Sequence, residues 1–335
     1  MKLFLFYFFL ISFLFLWLVF QQNSELTLKE KIAQMILVHV ENETEIKRFS
    51  ELGISNFHLG WHPKEEYFER MIGKIRRYSK FPPLIATDME GCLNPFSSFK
   101  NFPNASEIEN ETQAYSAGLA EGRVLRKFGF NLNFAPVLDL KDNVWRCRAF
   151  KGNATEITEK ALAYIKGLKD SGILSIVKHY PGKSMATKDP HKELVYAKIG
   201  EEDLLPFKKA FEFGVDGVMV SHVIATGKVN SEGKPCSVSR NVIEEIKNDF
   251  KGLVISDDIS MLGLRKFYKN ETQMWIDLFK AGNDVIIVSN YSPEKIERLI
   301  EVIEEGVREG IINEKDIDRS VQKILEIKRA SNIYK

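Results

Sequence analysis

The side chains best suited to chemistry lie in one short stretch, which reads KHYPGKSMATKDPH over Lys178–His191. It follows an apolar run that predicts a buried strand, so we expect its polar groups to lie on a loop at the end of that strand. Lys178 and His179 open the loop, and Asp189 and His191 close it. These four side chains can together hold a polar ligand and transfer a proton.

Asp189 stands two residues before His191, where its carboxylate can bind the imidazole. Such a carboxylate fixes the tautomer of the ring and raises its basicity, and the histidine can then protonate a leaving oxygen and later take a proton from water. A solvent-exposed loop histidine is the alternative. A metal site on His179, Asp189 and His191 is disfavoured, because their spacing matches no common ligand pattern and a neighbouring lysine would repel a cation.

A second chemical group is the pair of carboxylates Asp257 and Asp258, which follow the apolar run Leu253–Ile255. A carboxylate at such a strand end can attack an anomeric carbon and form a glycosyl-enzyme. Capping of the next helix is the alternative role, since aspartate suits that position well. Both roles can hold if one carboxylate caps and the other faces a cavity.

Other polar side chains suit the recognition of sugar hydroxyls, which both donate and accept hydrogen bonds. Asp88 supplies an anion, Lys178 and His179 supply donors, and Arg148 adds a planar fork of donors. For each residue alone, a surface ion pair is the alternative. They form a binding site only if the fold gathers them at one rim.

Eight short apolar runs are predicted to be the strands that position these groups. The runs are Met35–Val40, Ile54–Leu59, Pro83–Ala86, Leu132–Leu138, Ile173–Val177, Val215–Val220, Leu253–Ile255 and Val285–Val288. Helical segments include Thr155–Leu168, Glu294–Val307 and an extra terminal helix over Asn313–Ser331. The alternation predicts an α/β fold, a single-domain (β/α)8 TIM barrel. A doubly wound open sheet is the alternative, but no G-x-G-x-x-G follows the first run to support it.

Ionisable residues stand at the ends of five predicted strands, and this repetition strengthens the barrel prediction. They are Asp88, Asp139, the Lys178-His179 pair, His222 and Asp257. The carboxyl ends of barrel strands converge on one mouth, so we expect these distant residues to be neighbours there.

The composition is that of an ordinary globular protein, with 335 residues, 44% hydrophobic and 28% charged. The net charge of +1 gives no argument for an anionic partner, and we expect no nucleic-acid binding. Of the three cysteines, Cys92 and Cys147 lie in predicted loops at strand ends and could form a disulfide if the domain is exported. Three unpaired thiols, Cys236 included, are the alternative.

The first 24 residues form a separate segment, and residues 25–335 form the predicted domain. Leu3–Phe20 carries no charge, and as a helix its eighteen residues would span ~27 Å, close to a bilayer core. Lys2 precedes the run, so the positive-inside rule puts the domain outside the cytoplasm, in the periplasm or at the cell surface. We favour an uncleaved signal anchor over a cleaved signal peptide, because no small-residue cleavage site follows the run.

Given these residues, the chain resembles the glycoside hydrolase family 3 β-N-acetylglucosaminidases from about Leu26 onwards. The family's KH[FY]PG segment with a following D-x-H matches Lys178–His191, and its SDD-[LI]-SM-x-G motif matches Ser256–Gly263. Its FAPVLD and D-x-E-G motifs recur at Phe134–Asp139 and Asp88–Gly91.

The resemblance implies a retaining exo-β-N-acetylglucosaminidase that removes terminal β-linked GlcNAc from peptidoglycan-derived fragments through a glycosyl-enzyme. It implies that Asp257 is the nucleophile and that His191, oriented by Asp189, is the acid/base. The sugar-binding residues it implies are Asp88, Arg148, Lys178 and His179. The family's barrel works without a metal or organic cofactor, and the implied partners are GlcNAc-containing cell-wall saccharides.

The chain departs from the family pattern on one side of the predicted mouth. Leu93 and Phe96 stand where the family has arginines, and Lys183-Ser184 stands where it often has His-Gly. We therefore expect an altered preference at the far hydroxyls of the sugar. Two alternatives stay open: a phosphorylase, in which phosphate replaces water, and an inactive anchored sugar-binding protein.

Overall fold

The structure, a computed structural model, describes residues 26–330. The N-terminal segment, expected to be a signal anchor or signal peptide, lies outside the described residues. Between residues 26 and 330, no helix combines the length and apolar character that a membrane span requires.

Eight of the ten strands in the described part of the chain form one parallel sheet, and each coincides with a predicted apolar run. In chain order the strands are β1 (Ile36–His39), β2 (Asn56–His58), β3 (Leu84–Thr87), β4 (Leu132–Asn133), β5 (Leu174–Tyr180), β6 (Tyr196–Ile199), β7 (Gly217–Val220), β8 (Ile224–Gly227), β9 (Leu253–Ser256) and β10 (Ile286–Val288). Only β6 and β8 lie outside this sheet.

The sheet curves into a nearly closed barrel. Its strand order is β10-β1-β2-β3-β4-β5-β7-β9, and β10 pairs with β1 through Ile286 and Ile36. The remaining gap is bridged where Val285 pairs with Ile255 and accepts the backbone N–H of Ser256 at 2.9 Å. The α/β prediction is confirmed, and the strand order is that of a (β/α)8 barrel.

A helix follows each barrel strand before the next one begins. The helices are α1 (Leu28–Gln34), α2 (Glu43–Glu51), α3 (Glu65–Tyr78), α4 (Glu111–Phe128), α5 (Ala154–Asp170), α6 (Glu201–Phe213), α7 (Arg240–Asp249), α8 (Leu262–Arg265), α9 (Glu271–Ala281), α10 (Pro293–Arg308) and α11 (Glu314–Ala330). The predicted segments correspond to α5, α10 and the terminal helix α11. Two short 3-10 turns lie at Ala105–Glu107 and Cys236–Val238.

Helix α5 illustrates how the sequence forms these elements. Its apolar positions recur at helical spacing, and Ile157, Ala161 and Leu168 are all buried. The Asn153 side chain begins the helix by accepting N–H groups of the first turn, and the Glu156 side chain accepts the backbone N–H of Asn153. The apolar face therefore packs inward while the cap fixes where the helix starts.

The two-stranded sheet of β6 and β8 is the main addition to the predicted barrel. Tyr196 pairs with Ile224 and Ile199 with Gly227, in parallel. β6 begins five residues after His191, and β8 begins two residues after His222. The small sheet therefore ties the long loop after β5 to the loop after β7 at the mouth of the barrel.

Candidate active site

The seven residues predicted to form the site line one cavity of about 430 Å³ at the carboxyl ends of the barrel strands. They are Asp88, Arg148, Lys178, His179, Asp189, His191 and Asp257. The cavity also contacts His58, Leu93, Phe134, Trp145, Met185 and Lys192, among others. The residues named here belong to five barrel strands, β2, β3, β4, β5 and β9, or to the loops that follow them, and they meet in one place as expected for a barrel mouth.

Lys178 forms the buried cationic centre of the cavity floor. Its side chain is 2% exposed, and Nζ lies 2.5 Å from Oδ1 of Asp88. The same ammonium contacts Glu90, and it stands 5.9 Å from the ring centre of Phe134. Burial would raise the pKa of Asp88, but Lys178 and His58 hold it well below its ordinary value. Asp88 therefore faces the cavity as an anion.

Arg148 is bound by Glu90 in a buried, two-pronged ion pair. Nη2 donates to Oε1 of Glu90 at 2.9 Å, and Nε donates to the other carboxylate oxygen. The guanidinium also lies 3.4 Å from Nε2 of His179 and 3.1 Å from the sulfur of Met185. Its donors toward Glu90 are therefore taken, while the rest of the guanidinium contacts Met185 and His179, which line the cavity with it.

The buried carboxylate of Asp139 fixes the orientation of the His179 ring. Oδ2 of Asp139 lies 2.8 Å from Nδ1 of the ring and accepts the His179 backbone N–H at 3.2 Å. The other carboxylate oxygen accepts the backbone N–H of Ser184 at 2.7 Å. Because a carboxylate accepts, Nδ1 carries the proton, and Nε2 of His179 lies beside Nη2 of Arg148.

Asp257 lies at the end of β9 with its carboxylate toward the cavity, and it is 9% exposed. Its Oδ1 accepts the backbone N–H of Asp258 at 2.9 Å. Burial would raise the pKa of Asp257, but its interactions with His222, His179 and His191 and with the Asp258 N–H bring it below its ordinary value. The group is therefore an anion at neutral pH.

Asp258 has a local structural role, but it does not cap the next helix, which begins at Leu262 without a side-chain cap. Its Oδ1 accepts the backbone N–H groups of Ser260 and Ser289, both at 3.0 Å. These bonds fix the turn after β9 and join it to the end of β10. Asp257 is thereby left to face the cavity.

The predicted acid/base pair shows the expected contact. Asp189 Oδ1 lies 2.9 Å from Nδ1 of His191 and accepts its backbone N–H at 3.0 Å. Burial would raise the pKa of Asp189, but its contacts to His191 and Lys192 lower it. The charged carboxylate keeps the proton on Nδ1, so that Nε2 of His191 is free to accept or deliver one.

Two backbone hydrogen bonds join the loop of His191 to the loop of Asp257. Leu262 donates to the carbonyl of His191 at 3.2 Å, and Gly263 donates to the carbonyl of Pro190 at 3.1 Å. A Cβ at Gly263 would lie 2.4 Å from the Pro190 oxygen. Glycine is therefore required for this close approach, which explains its place in the motif after Asp257.

Two of the five strand-end residues lie behind the cavity wall. Asp139 is buried under His179, as described above. His222 is 2% exposed, with Nδ1 2.7 Å from the Ser237 hydroxyl and Nε2 2.9 Å from the carbonyl of Asp258. The expectation that all five groups share the mouth is thus corrected: these two support the residues that line it.

Three residues near the site were not selected from the sequence. His58 ends β2, and its Nε2 lies 2.9 Å from Asp88 Oδ2, while Nδ1 lies 2.9 Å from Nδ1 of His39. His58 fell inside a predicted strand, and attention to the last strand residue would have found it. Glu90 belonged to the D-x-E-G motif, whereas Trp145 carried no distinguishing pattern.

The departures from the family pattern are resolved differently at the two positions. Leu93 lines the cavity, whereas Phe96 is fully buried among aromatic rings, with ring centres of Phe68 and Phe128 at 4.9 and 4.8 Å.

A disulfide joins Cys92 to Cys147, across 55 residues of sequence. The predicted pairing is confirmed, and Cys236 is a buried free thiol.

No group of three or more His, Cys, Asp and Glu side chains within residues 26–330 is arranged to hold a metal ion. His179 is occupied by Asp139, and His191 by Asp189.

Comparison with known proteins gives one consistent family. The family model described as glycosyl hydrolase family 3 N terminal domain matches residues 27–327. A β-hexosaminidase of Nitrosospira multiformis is 32% identical over 241 residues, which is 65% of this chain and 68% of that protein. A β-hexosaminidase of Psychromonas ingrahamii is 32% identical over 245 residues, 67% of this chain and 72% of that protein.

A solved structure agrees with these matches. The glycoside hydrolase family 3 β-N-acetylglucosaminidase of Paenibacillus sp. superposes with a TM-score of 0.82 and 26% identity, over 92% of this chain. The chain spans 64% of the length of that protein. The chain therefore belongs to glycosyl hydrolase family 3, and it is a glycosidase of the same family as the β-hexosaminidases.

Proposed function

We propose that the protein is a retaining exo-β-N-acetylglucosaminidase that removes terminal β-linked GlcNAc from peptidoglycan-derived saccharides. The main support is that an anionic Asp257 and a carboxylate-bound His191 line the same cavity on loops that are hydrogen-bonded to each other. The seven-residue set and the relatives' names point to the same sugar chemistry.

In the first step, a carboxylate oxygen of Asp257 forms a bond to the anomeric carbon while the bond from that carbon to the leaving oxygen breaks. The leaving oxygen takes the proton from Nε2 of a protonated His191. Asp189 stabilises the positive ring before the transfer and holds Nδ1 in place throughout. The lowered pKa of Asp257 keeps the nucleophile unprotonated at the same pH.

In the second step, Nε2 of the now neutral His191 takes a proton from water as the water oxygen attacks the anomeric carbon. The bond to Asp257 breaks, and its carboxylate is released with its charge. Two inversions leave the β configuration unchanged, so GlcNAc departs with retention. His191 ends protonated and ready for the next cycle.

The other members of the set are proposed to bind the GlcNAc ring. Asp88 is the anionic acceptor for sugar hydroxyls, with Lys178 beside it as donor. His179 and Arg148 lie next to each other in the cavity lining and are proposed to bind the sugar through Nε2 and the guanidinium. The Asp139 and Glu90 carboxylates hold these two side chains in position before the substrate arrives.

We further propose that the catalytic domain, residues 25–335, works outside the cytoplasm, tethered by the segment Leu3–Phe20. The uncharged apolar run and the Cys92–Cys147 disulfide support an extracytoplasmic, oxidising compartment. Cell-wall fragments with terminal GlcNAc are the substrates that such a location offers.

The use of histidine as acid/base favours one second candidate, a β-N-acetylglucosaminide phosphorylase. A neutral imidazole carries no negative charge to repel an anionic acceptor, unlike a second carboxylate. In that reaction phosphate takes the place of water in the second step and the product is the sugar 1-phosphate.

The decisive experiment is product analysis with purified muropeptides, in phosphate and in phosphate-free buffer. We expect wild type to release free GlcNAc in both buffers and Asp257→Ala to release none. The control is Asp249→Ala, which removes an exposed carboxylate on α7 and should match wild type. GlcNAc 1-phosphate as the main product would identify the phosphorylase. Sugar binding without turnover would identify an inactive binding protein, and normal rates in Asp257→Ala would overturn the mechanism.

A further inference from the structure

Three neighbouring barrel strands end in side chains that contact one another in series: His39, His58 and Asp88. His39 ends β1 and His58 ends β2, and the two residues are direct partners in the parallel pairing of these strands. His58 is paired in turn with Ala86 of β3, and Asp88 follows β3 directly. The register of the three strands therefore brings the two imidazoles and the carboxylate together beside the cavity.

Two short contacts join the three side chains. Nδ1 of His39 lies 2.9 Å from Nδ1 of His58, and Nε2 of His58 lies 2.9 Å from Oδ2 of Asp88. Because the Asp88 carboxylate is charged and can only accept, Nε2 of His58 carries a proton. The two Nδ1 atoms share one further proton, since one ring must donate and the other accept. Burial, together with the nearby His58, lowers the pKa of His39 to about 4, so a second proton does not enter between the rings at neutral pH.

The two imidazoles are held by the packing around them. Both side chains are largely buried, with 23% of His39 and 16% of His58 exposed. The His58 ring stacks on Phe134, with ring centres 6.1 Å apart and planes at 29°. Gly60 leaves room for the other ring, because a Cβ there would lie 3.1 Å from Cε1 of His39. The pair is therefore a fixed support and not a mobile surface contact.

Asp88 is held between this pair and the cation of the cavity floor. Lys178 Nζ lies 2.5 Å from Oδ1 of Asp88, whereas His58 contacts Oδ2. One contact on each oxygen fixes the plane of the carboxylate, while 35% of the Asp88 side chain stays exposed to a ligand. Without His58, the plane of the carboxylate would be free to rotate toward the Lys178 ammonium, because an ammonium attracts both oxygens.

We propose that His58, supported by His39, is a positioning residue of the GlcNAc-binding site. It holds the Asp88 carboxylate in the orientation that accepts hydrogen bonds from sugar hydroxyls. The inference rests on the proposed function and adds to it two residues outside the seven-residue set. Neither histidine takes part in bond making or proton transfer at the anomeric carbon, so their replacement should weaken sugar binding and spare the chemical step.

His58→Phe keeps the size of the ring and removes its hydrogen bonds. On 4-nitrophenyl β-GlcNAc we expect KM to rise about tenfold, as for the loss of one hydrogen bond to a charged group, with kcat within about twofold of wild type. The inhibition constant of free GlcNAc should rise by the same factor as KM. His58→Gln restores an amide N–H near the position of Nε2, so it should recover most of the lost affinity.

His39 is expected to act only through His58. His39→Phe should raise KM and the GlcNAc inhibition constant by about threefold, because His58 keeps its bond to Asp88 but loses the partner that fixes its ring. His39→Asn keeps a polar group near Nδ1 and should recover part of this loss. The double variant His39→Phe/His58→Phe should bind GlcNAc no more weakly than His58→Phe alone, since the two side chains act in series.

His62→Phe is the matched control. His62 follows β2 on the same loop, stacks on Tyr67 with ring centres 3.8 Å apart, and is not among the residues that line the cavity. It should match wild type in KM, kcat and GlcNAc inhibition.

Three results would overturn the inference. They are unchanged GlcNAc inhibition in His58→Phe, a loss of kcat as large as the loss of affinity in that variant, and losses that add in the double variant. A wild type that neither cleaves the aryl glycoside nor binds GlcNAc would refute the proposed function, and this inference with it. A wild type that does both, with His58→Phe equal to it, would refute the positioning by His58 alone.

Discussion

Leu262 donates its backbone N–H to the carbonyl oxygen of His191 at 3.2 Å. The bond joins the segment after the proposed nucleophile to the residue proposed as acid/base, although the two lie far apart in sequence. The neighbouring bond from Gly263 to Pro190 acts in the same way. The relative position of the two chemical groups is therefore set by main-chain contacts between their loops as well as by the barrel.

Gly263→Ala tests this coupling. A Cβ at position 263 would lie 2.4 Å from the Pro190 oxygen and 3.0 Å from the Glu193 oxygen, so the His191 loop has to move. We expect kcat/KM on a GlcNAc disaccharide to fall by about tenfold to a hundredfold, and on GlcNAc β-fluoride by less. Gly73→Ala is the matched control, because nothing lies within 4 Å of a Cβ there. Equal activity in the two variants would show that the loop contact does not position the acid.

The sequence predicted the framework of the fold because each barrel strand lies in or overlaps a short run rich in apolar residues. Strand-end charge also predicted four residues of the cavity, since parallel strands bring their carboxyl ends together. They are Asp88, Lys178, His179 and Asp257. The sequence could not tell which strand-end side chains face the cavity. Asp139 and His222 carry the same signal as Asp88, yet both are buried behind their neighbours, and only the packing of the loops decides this.

The partners of individual side chains were also beyond sequence reasoning. Arg148 was expected to offer a planar fork of donors to the sugar, but Glu90 accepts from one edge of the guanidinium. The small sheet was missed because Tyr196–Ile199 is short and finds its partner only after the chain has passed through α6 and β7. Such pairings depend on contacts between distant parts of the chain.

His191→Ala should show a strong dependence on the leaving group. Removing a general acid costs about 10²- to 10⁴-fold where the leaving oxygen must be protonated. We therefore expect kcat/KM on disaccharides to fall by that factor, and kcat/KM on GlcNAc β-fluoride to change little, since fluoride departs without a proton. Asp189→Asn should give a smaller loss of the same kind. His62→Ala, a histidine that does not line the cavity, serves as control, and a uniform loss on all substrates would argue against the acid role.

Lys178→Met should destabilise the fold in a pH-dependent way. Burial would raise the pKa of Glu90, but Arg148 and Lys178 lower it, so Glu90 contributes stability above its unfolded pKa and loses it as the pH falls through the folded value. Breaking a buried ion pair costs about 3–5 kcal/mol. We expect urea unfolding to show that the free energy of unfolding of Lys178→Met is lower than that of wild type by about this amount at pH 7. Near pH 4 we expect a smaller difference.

Two further variants show whether the effect of Lys178→Met comes from the lost charge. Lys178→Arg keeps the charge and should recover part of the stability, and Lys166→Met removes an exposed lysine that contacts Asp170. A deficit that is the same at pH 4 and pH 7 would mean that lost packing, and not the charge on Glu90, is responsible.

The Cys92–Cys147 disulfide should stabilise the cavity wall. Cys92 is next to Leu93, which lines the cavity, and Cys147 is next to Arg148. Loss of a disulfide that closes a loop of this length typically costs about 2–4 kcal/mol. We expect dithiothreitol to lower the Tm of wild type to that of the Cys92→Ser/Cys147→Ser variant, which itself should not respond. We also expect dithiothreitol to change the KM of wild type to that of the double variant. Cys236→Ala, which removes the free thiol, is the control. A wild-type Tm that does not change with the reductant would contradict the stabilising role of the disulfide.

Glu121 makes the stability of the protein depend on pH from beneath the site. The side chain is 1% exposed on α4, and it accepts the hydroxyl of Tyr164. Burial raises the pKa of Glu121 to about 8, so the folded protein keeps this carboxyl protonated at neutral pH. A raised folded pKa gives stability that is fully present below the unfolded pKa of about 4.3 and is lost as the pH rises through the folded value.

Glu121→Gln removes that loss, because the amide is neutral at every pH and can still bind Tyr164. We expect the free energy of unfolding of the variant, relative to that of wild type, to increase by a few kcal/mol as the pH rises from 5 to 8. Urea unfolding at a series of pH values measures the difference. Glu111→Gln changes an exposed carboxyl on the same helix and should show no such trend. A difference between Glu121→Gln and wild type that stays constant with pH would mean that Glu121 is ionised in the folded protein.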